Sequence, residues 1–291
     1  MTATKLTANH AVGPEDYEPG LAIEDQPGFH ELSLQLHDLR LTTALAVREN
    51  LEIGLVVPFG LIVSDAAFLT PDGAEMVGFG SIHHRDETLF GVGDIRALAR
   101  YRMTPATSDL IFDVRVGLSL PTGNIEPNPF ALGRAGQAHQ HLFFGTGTVN
   151  PMGGLSAVLP VGSLLLDADV SASGAVYRNK YDYRAPTVIN GRFGVSLSAG
   201  QWSGDVSLGY LKEFPAEWAG EAAENSGRTD IVPGIGVRWQ PDETWGLTLF
   251  GKRPITVEAL GGQMEVPFLV TLAVSYRRQA WEAPVKEGTG H

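Results

Sequence analysis

The chain has 291 residues, and its 33 acidic and 21 basic side chains leave a net charge of −12. An acidic balance argues against binding to nucleic acid, whose phosphates need a basic face. No cysteine is present, which excludes disulfides, thiolate metal ligands and cysteine nucleophiles. The sequence lacks any run of about 20 apolar residues, so if this chain spans a membrane it must do so with strands.

The two ends of the chain are polar. Residues 1–28 carry no apolar core of the kind found in export signals, and 12–20 is rich in proline, glycine and acidic residues. We therefore expect 1–28 to be a polar, disordered N-terminal segment and 279–291 to be a polar C-terminal tail. One folded unit is predicted between them, over 29–278.

Within that unit apolar residues recur at every second position, which is the period of a β-strand. For example, Leu166, Ala168 and Val170 fall on one face, and Asp167 and Asp169 fall on the other. Small or charged residues occupy the polar face. The predicted strands are 30–37, 39–48, 51–62, 93–103, 109–121, 152–160, 163–177, 187–199, 202–213, 229–239, 244–253 and 265–277.

The break between the first two predicted strands rests on a change of phase. Apolar residues occupy even positions through Leu36 and odd positions from Leu39 onward. Because a slip of one residue moves every side chain to the opposite face, the sequence predicts two strands joined by a tight turn at His37-Asp38.

The predicted connections separate into two classes that alternate along the chain. The short turns include 104–108, 200–201 and 240–243, and the long loops include 63–92 and 122–151. Membrane barrels have short turns on one side, long loops on the other and aromatic girdles at both interfaces. The apolar-face aromatics beside short turns are Tyr101, Trp202, Trp239, Trp245 and Tyr276, and those near long loops are Phe59, Tyr210 and Phe268.

These patterns predict an all-β fold, a single up-and-down antiparallel transmembrane β-barrel of about twelve strands. A soluble β-sandwich also alternates in polarity, but Greek-key connections give no reason for such a regular succession of loop lengths.

Three glycine-rich segments support the same fold: Gly91 to Arg102, Gly117 to Asn124 and Phe144 to Pro151. Their order and content resemble the outer-membrane β-barrel family associated with the meta-pathway of phenol degradation, whose members are described as transporters. The resemblance extends loosely over 30–278. It implies a barrel that admits small, often hydrophobic, compounds.

Placing the polar face inward predicts a charged lumen. A salt-bridged wall that holds the barrel together is one interpretation, because opposite charges pair across strands. A charged constriction that selects permeants is the other. The candidate lumen-lining residues are Asp94, Arg96, Arg100, Asp113, Arg115, Asp167, Asp169, Arg192, Asp205 and Arg238.

Histidines and one serine are the remaining candidates for chemistry. His83-His84 and His139-Gln140-His141 could bind a transition metal, but we expect solvated loop histidines and no metal. Ser81 lies near His83 and His84 without a nucleophile elbow around it.

The sequence thus predicts a bacterial outer-membrane channel or passive transporter for small molecules, hydrophobic or aromatic ones among them. Its expected partners are outer-membrane lipid and the permeant, with no cofactor and no catalysis. The alternatives are a structural barrel with a closed lumen and a lipid-active outer-membrane enzyme.

Overall fold

The computed structural model describes residues 1–12, 17–82, 84–223, 226–260 and 265–278. Their main sheet closes on itself as an up-and-down antiparallel barrel of twelve strands, which confirms the predicted fold class. Two of the strands are interrupted, one by a bulge at 93–94 and the other by a short break in its ladder at 253–254. The strands are β1 Thr2–Ala11, β2 Phe29–Arg48, β3 Leu51–Leu69, β4 Glu87–Val92 with Ile95–Met103, β5 Ile111–Leu120, β6 Asn150–Val161, β7 Leu164–Ser173, β8 Val188–Ala199, β9 Trp202–Glu213, β10 Arg228–Trp239, β11 Trp245–Lys252 with Ile255–Ala259, and β12 Leu269–Tyr276.

Long and short connections alternate around the whole barrel, as predicted. β3 continues to Leu69 and β4 begins at Glu87, so the predicted loop 63–92 shrinks to 70–86. The long connections all lie at one end of the barrel and the short ones at the other. The long connections are 12–28, 70–86, 121–149, 174–187, 214–227 and 260–268, and the short ones are 49–50, 104–110, 162–163, 200–201 and 240–244.

The tight turn predicted at His37-Asp38 is wrong, because β2 runs unbroken through it and stays paired with β3. The change of phase reflects a change of surroundings. Toward the long-loop end the inward Leu34 is buried, whereas toward the short-turn end the outward Leu41 is 55% exposed on the outer surface. The strand therefore keeps its register while the apolar side of the wall switches from inner to outer.

The structure also corrects the prediction that 1–28 lies outside the barrel as a disordered segment. β1 pairs with β2 along its whole length, and its Thr2 and Ala3 pair with β12 to close the ring. The sequence pattern did not predict β1, because Leu6 is its one large apolar residue between Thr2 and Thr7. From Leu39 to Arg48, β2 pairs with β3 and with no second strand of the described chain.

The outer surface of the barrel toward the short turns is an apolar belt. Two aromatic pairs lie at its short-turn edge, Trp202 with Trp239 and Trp245 with Tyr276, with ring centroids 6.0 and 4.8 Å apart. Soluble monomers rarely expose such a large continuous apolar surface. The belt includes Leu41, Leu45, Leu55, Val116, Leu155, Val206, Leu208, Ile235, Leu249 and Leu272.

A small sheet, here called the cap sheet, is built from two long connections. Its strands are Tyr183–Arg184, Glu217–Trp218 and Glu221–Ala222. Tyr183 and Trp218 lie in its core, with ring centroids 4.6 Å apart. Burial, with a smaller contribution from the charge of Glu213, raises the pKa of Tyr183 to about 12.

Among the described residues, helical structure is confined to connections. The helix α1 spans Pro129–Arg134, and a 3-10 turn spans Ile23–Asp25. No helix in the described ranges is both long and apolar enough to cross a membrane. The predicted C-terminal tail, 279–291, lies outside the described residues.

Candidate functional site

The barrel encloses a cavity of about 680 Å³, bounded by β2 to β8 and by the connection 121–149. Its wall is mixed: charged residues such as Arg96 and Arg115 alternate with apolar ones such as Leu98 and Met152. A volume of this size suits a small organic molecule. The cavity is therefore the candidate functional site.

Phe144, in the connection 121–149, places its ring against the inner wall of the barrel. Gly60 and Gly91 face each other across β3 and β4, and a Cβ on either glycine would overlap with the ring. The two glycines thus form a seat for the aromatic side chain. The preceding Phe143 packs instead on Tyr183 of the cap sheet, with ring centroids 5.5 Å apart. The connection acts as a plug, and Phe144 narrows the lumen.

Asp94, predicted to line the lumen, does line the cavity, but its carboxylate is engaged in holding this plug. The N–H of Gly123 donates to it at 3.0 Å, and the N–H and hydroxyl of Thr146 donate at 2.8 and 2.6 Å. The hydroxyl of Thr122 donates to the carbonyl of Gly93 and accepts from the N–H of Ile95, both at 2.9 Å. Asp94 therefore fixes both ends of the connection to the bulge in β4.

The three glycine-rich segments of the sequence meet at this point. Asn124 accepts a hydrogen bond from the N–H of Phe144 at 3.2 Å, and its carbonyl accepts from the N–H of Gly145 at 2.9 Å. Gly123 and Gly145 touch so closely that a Cβ on Gly123 would lie 2.6 Å from the Cα of Gly145. The segments that carry the family resemblance thus build one feature, the anchored plug.

Most of the other predicted lumen residues form ion pairs on the inner wall. Arg115 pairs with Asp169 across β6, where Gly154 leaves room for the guanidinium. Arg192 pairs with Asp167 and, at 2.8 Å, with Asp205. These five charged residues join β5, β7, β8 and β9 into a lattice.

A second group lies nearer the short turns. Arg100 pairs with Glu52 at 2.8 Å, and Asp113 pairs with Arg102 at 2.9 Å. Arg102 was missed, although its even position gives it the same inward parity as Arg100. Arg238 is exposed near the short-turn end.

Arg96 stands apart from these pairs. It faces the cavity between its cross-strand neighbours Val56 and Ser119, both of them uncharged. Within the described part of the chain it makes neither a hydrogen bond nor an ion pair, in contrast to Arg100 and Arg115. Its guanidinium is thus available to a molecule in the cavity.

The histidines form a cluster toward the long-loop end. His139 and His141 bring their Nε2 atoms to 3.1 Å, and the rings of His30 and His84 lie 4.6 Å apart. His139 is buried, so the expectation of solvated loop histidines is wrong for it. Among the described residues no group of three or more histidines and carboxylates has metal-binding geometry.

The serine considered for hydrolysis lies near the same cluster. Ser81 accepts a hydrogen bond through its Oγ from the backbone N–H of His84 at 3.2 Å. His83 lies outside the described residues.

Comparison with known proteins bears on the fold. No family model and no curated protein matches the chain. Among solved structures, an outer membrane channel from Pseudomonas putida F1 superposes with a TM-score of 0.60 at 16% identity, covering 94% of each chain. A FadL homologue from Pseudomonas aeruginosa reaches 0.43 at 12% identity, covering 94% of this chain and 88% of that one. The comparisons do not show the association with phenol degradation. They show that nearly the whole chain shares the fold of a solved outer membrane channel.

Proposed function

We propose that this chain is an outer-membrane channel that lets small molecules cross the bilayer by passive diffusion, without catalysis. The observation that carries the proposal is the inverted polarity of the barrel: an apolar belt outside and a charged, cavity-containing interior. In a bilayer core every backbone polar group must be bonded internally. The ladders of the barrel bond the backbone of nearly all its strands in this way, and among the described residues the exception is the short-turn half of β2 and the facing half of β12. Outer-membrane lipid would then cover the belt.

The permeants we propose are small and partly hydrophobic or aromatic. Phe144 narrows the path, so large solutes would be excluded, and the cavity beside it offers apolar surface from Leu98, Met152 and Pro58. A mixed wall suits molecules with an apolar body and few polar groups. The link to phenol degradation stays a proposal based on the sequence resemblance.

Single-channel recording and liposome swelling test the function. The purified protein should give discrete current steps and admit small solutes, and Phe144→Ala should raise the current because it removes the ring from the lumen. Phe90→Ala is the matched control, since Phe90 lies on the outer face of β4 and is 71% exposed. Its current should equal that of the wild type.

A structural barrel with a closed lumen is the second candidate. The cap sheet and the ion-pair lattice favour it, because both add packing and charge pairing to the barrel and its long-loop end. Silent, impermeable wild-type and Phe144→Ala proteins, both folded, would support this alternative and contradict the channel.

A further inference from the structure

Arg96 is the starting point for an inference about what the cavity binds. A guanidinium has five N–H donors and no acceptor. Donors that no protein group uses can bind the oxygens of a ligand that enters the cavity. Arg96 is half-buried in the cavity wall, and the described residues give it no acceptor within hydrogen-bond distance.

The carboxylates beside Arg96 form their ion pairs and hydrogen bonds with other residues. Asp38 pairs with Arg40 at 2.7 Å, and Asp94 accepts its three hydrogen bonds from the plug. Arg115, the third arginine of the cavity wall, gives its Nη2 to Asp169, and its Nε is buried without an acceptor among the described residues. Among the arginines of the cavity lining, Arg96 is therefore the one that donates no hydrogen bond to any described residue.

The surroundings define the ligand further. One planar guanidinium offers two parallel N–H donors, which match the two oxygens of a carboxylate. A phosphate dianion would call for a second free cation, which the described cavity lining does not supply. The apolar side chains of Leu98, Met152 and Phe144 line the same space, so the remainder of the ligand should be hydrophobic.

We propose that Arg96 and these apolar neighbours form a binding site for the carboxylate of a small organic monoanion with an aromatic or branched aliphatic body. The site lies in the proposed permeation path and to that extent rests on the proposed channel function. Binding itself does not require conduction, so the two proposals can fail separately.

Isothermal titration of the detergent-solubilised protein with benzoate and benzamide tests the site, because the two probes have similar size and differ in charge. Benzoate should bind, and benzamide should bind at least about tenfold more weakly, since hydrogen bonds between charged groups are the stronger ones. Arg96→Gln should weaken benzoate binding by at least about tenfold and leave benzamide unchanged. Arg96→Lys keeps the charge, loses the paired donors and should be intermediate.

Arg134→Gln is the matched control, because Arg134 is an exposed arginine of α1 and does not line the cavity. It should bind benzoate as the wild type does. The site is overturned if benzoate fails to bind, binds no better than benzamide, or binds equally well to folded Arg96→Gln. Benzoate binding that depends on Arg96, in a protein that conducts no current, would keep the site and reject the channel.

Discussion

Replacing Asp94 by alanine should release the plug from the barrel wall. The substitution removes the acceptor of three hydrogen bonds, from the N–H of Gly123 and from the N–H and hydroxyl of Thr146. Hydrogen bonds to a charged acceptor contribute about 1.5–3 kcal/mol each, so their combined loss is at least about 4 kcal/mol. That difference raises the ratio of detached to seated plug by about a thousandfold.

Two measurements follow from a detached plug. Single-channel current through Asp94→Ala should be larger and noisier than through the wild type. Limited trypsin digestion should cleave faster after Arg134, which lies within the released connection. Asp109→Ala removes the same charge from the turn 104–110 at the opposite end of the barrel and should behave as the wild type. An Asp94→Ala protein with unchanged current and unchanged cleavage rate would refute the anchoring role of Asp94.

Three further outcomes are expected. Leu208→Arg, on the outer belt, should destabilise the protein folded in liposomes by about 2–4 kcal/mol. Ser203→Arg, on the inner face of the same strand, should be tolerated. Equal effects of the two substitutions would contradict the assignment of faces. Arg192→Gln leaves two aspartates facing each other and should cost about 2 kcal/mol or more in urea unfolding, and an unchanged midpoint would argue against the lattice. Because the pKa of Tyr183 rises from 10.0 to about 12 on folding, the unfolded chain loses this proton first. The free energy of unfolding should therefore fall as pH rises from 10 to 12. Tyr183→Phe should remove the share of this fall that comes from Tyr183, and unfolding curves measured at alkaline pH would show the difference.

Sequence patterns predicted the barrel because its outer belt and short turns follow simple rules. Alternation with period two identified β6 to β10 closely, since each of these strands has one apolar face toward the outside. The rule failed where the surroundings change along a strand. In β2, Leu34 points inward and Leu41 outward, and the sequence alone cannot distinguish this inversion from a turn. The sequence pattern also missed β1, the end of β3 up to Leu69 and the second part of β11, Ile255–Ala259, because their alternation in polarity is weak or inverted.

The interior was harder to predict than the wall. Parity indicates which charged residues face inward, but not which of them meet. The pairing of Arg115 with Asp169 depends on the absence of a side chain at Gly154 on the strand between them. The role of Phe144 depends in the same way on Gly60 and Gly91, whose sequence neighbours do not show that a ring lies above them. Glycines that create space for a distant side chain leave no periodic signal.

The anchoring of the plug by Asp94 has a consequence for the order of assembly. Its hydrogen bonds join residues 29 and 52 positions apart in the chain, and the longer of them encloses the whole of β5. Closing such loops is entropically unfavourable until the intervening strands have already brought their ends together. The connection 121–149 should therefore reach its place on the wall only after β4, β5 and β6 have paired, so that Phe144 narrows the lumen after this part of the barrel has formed.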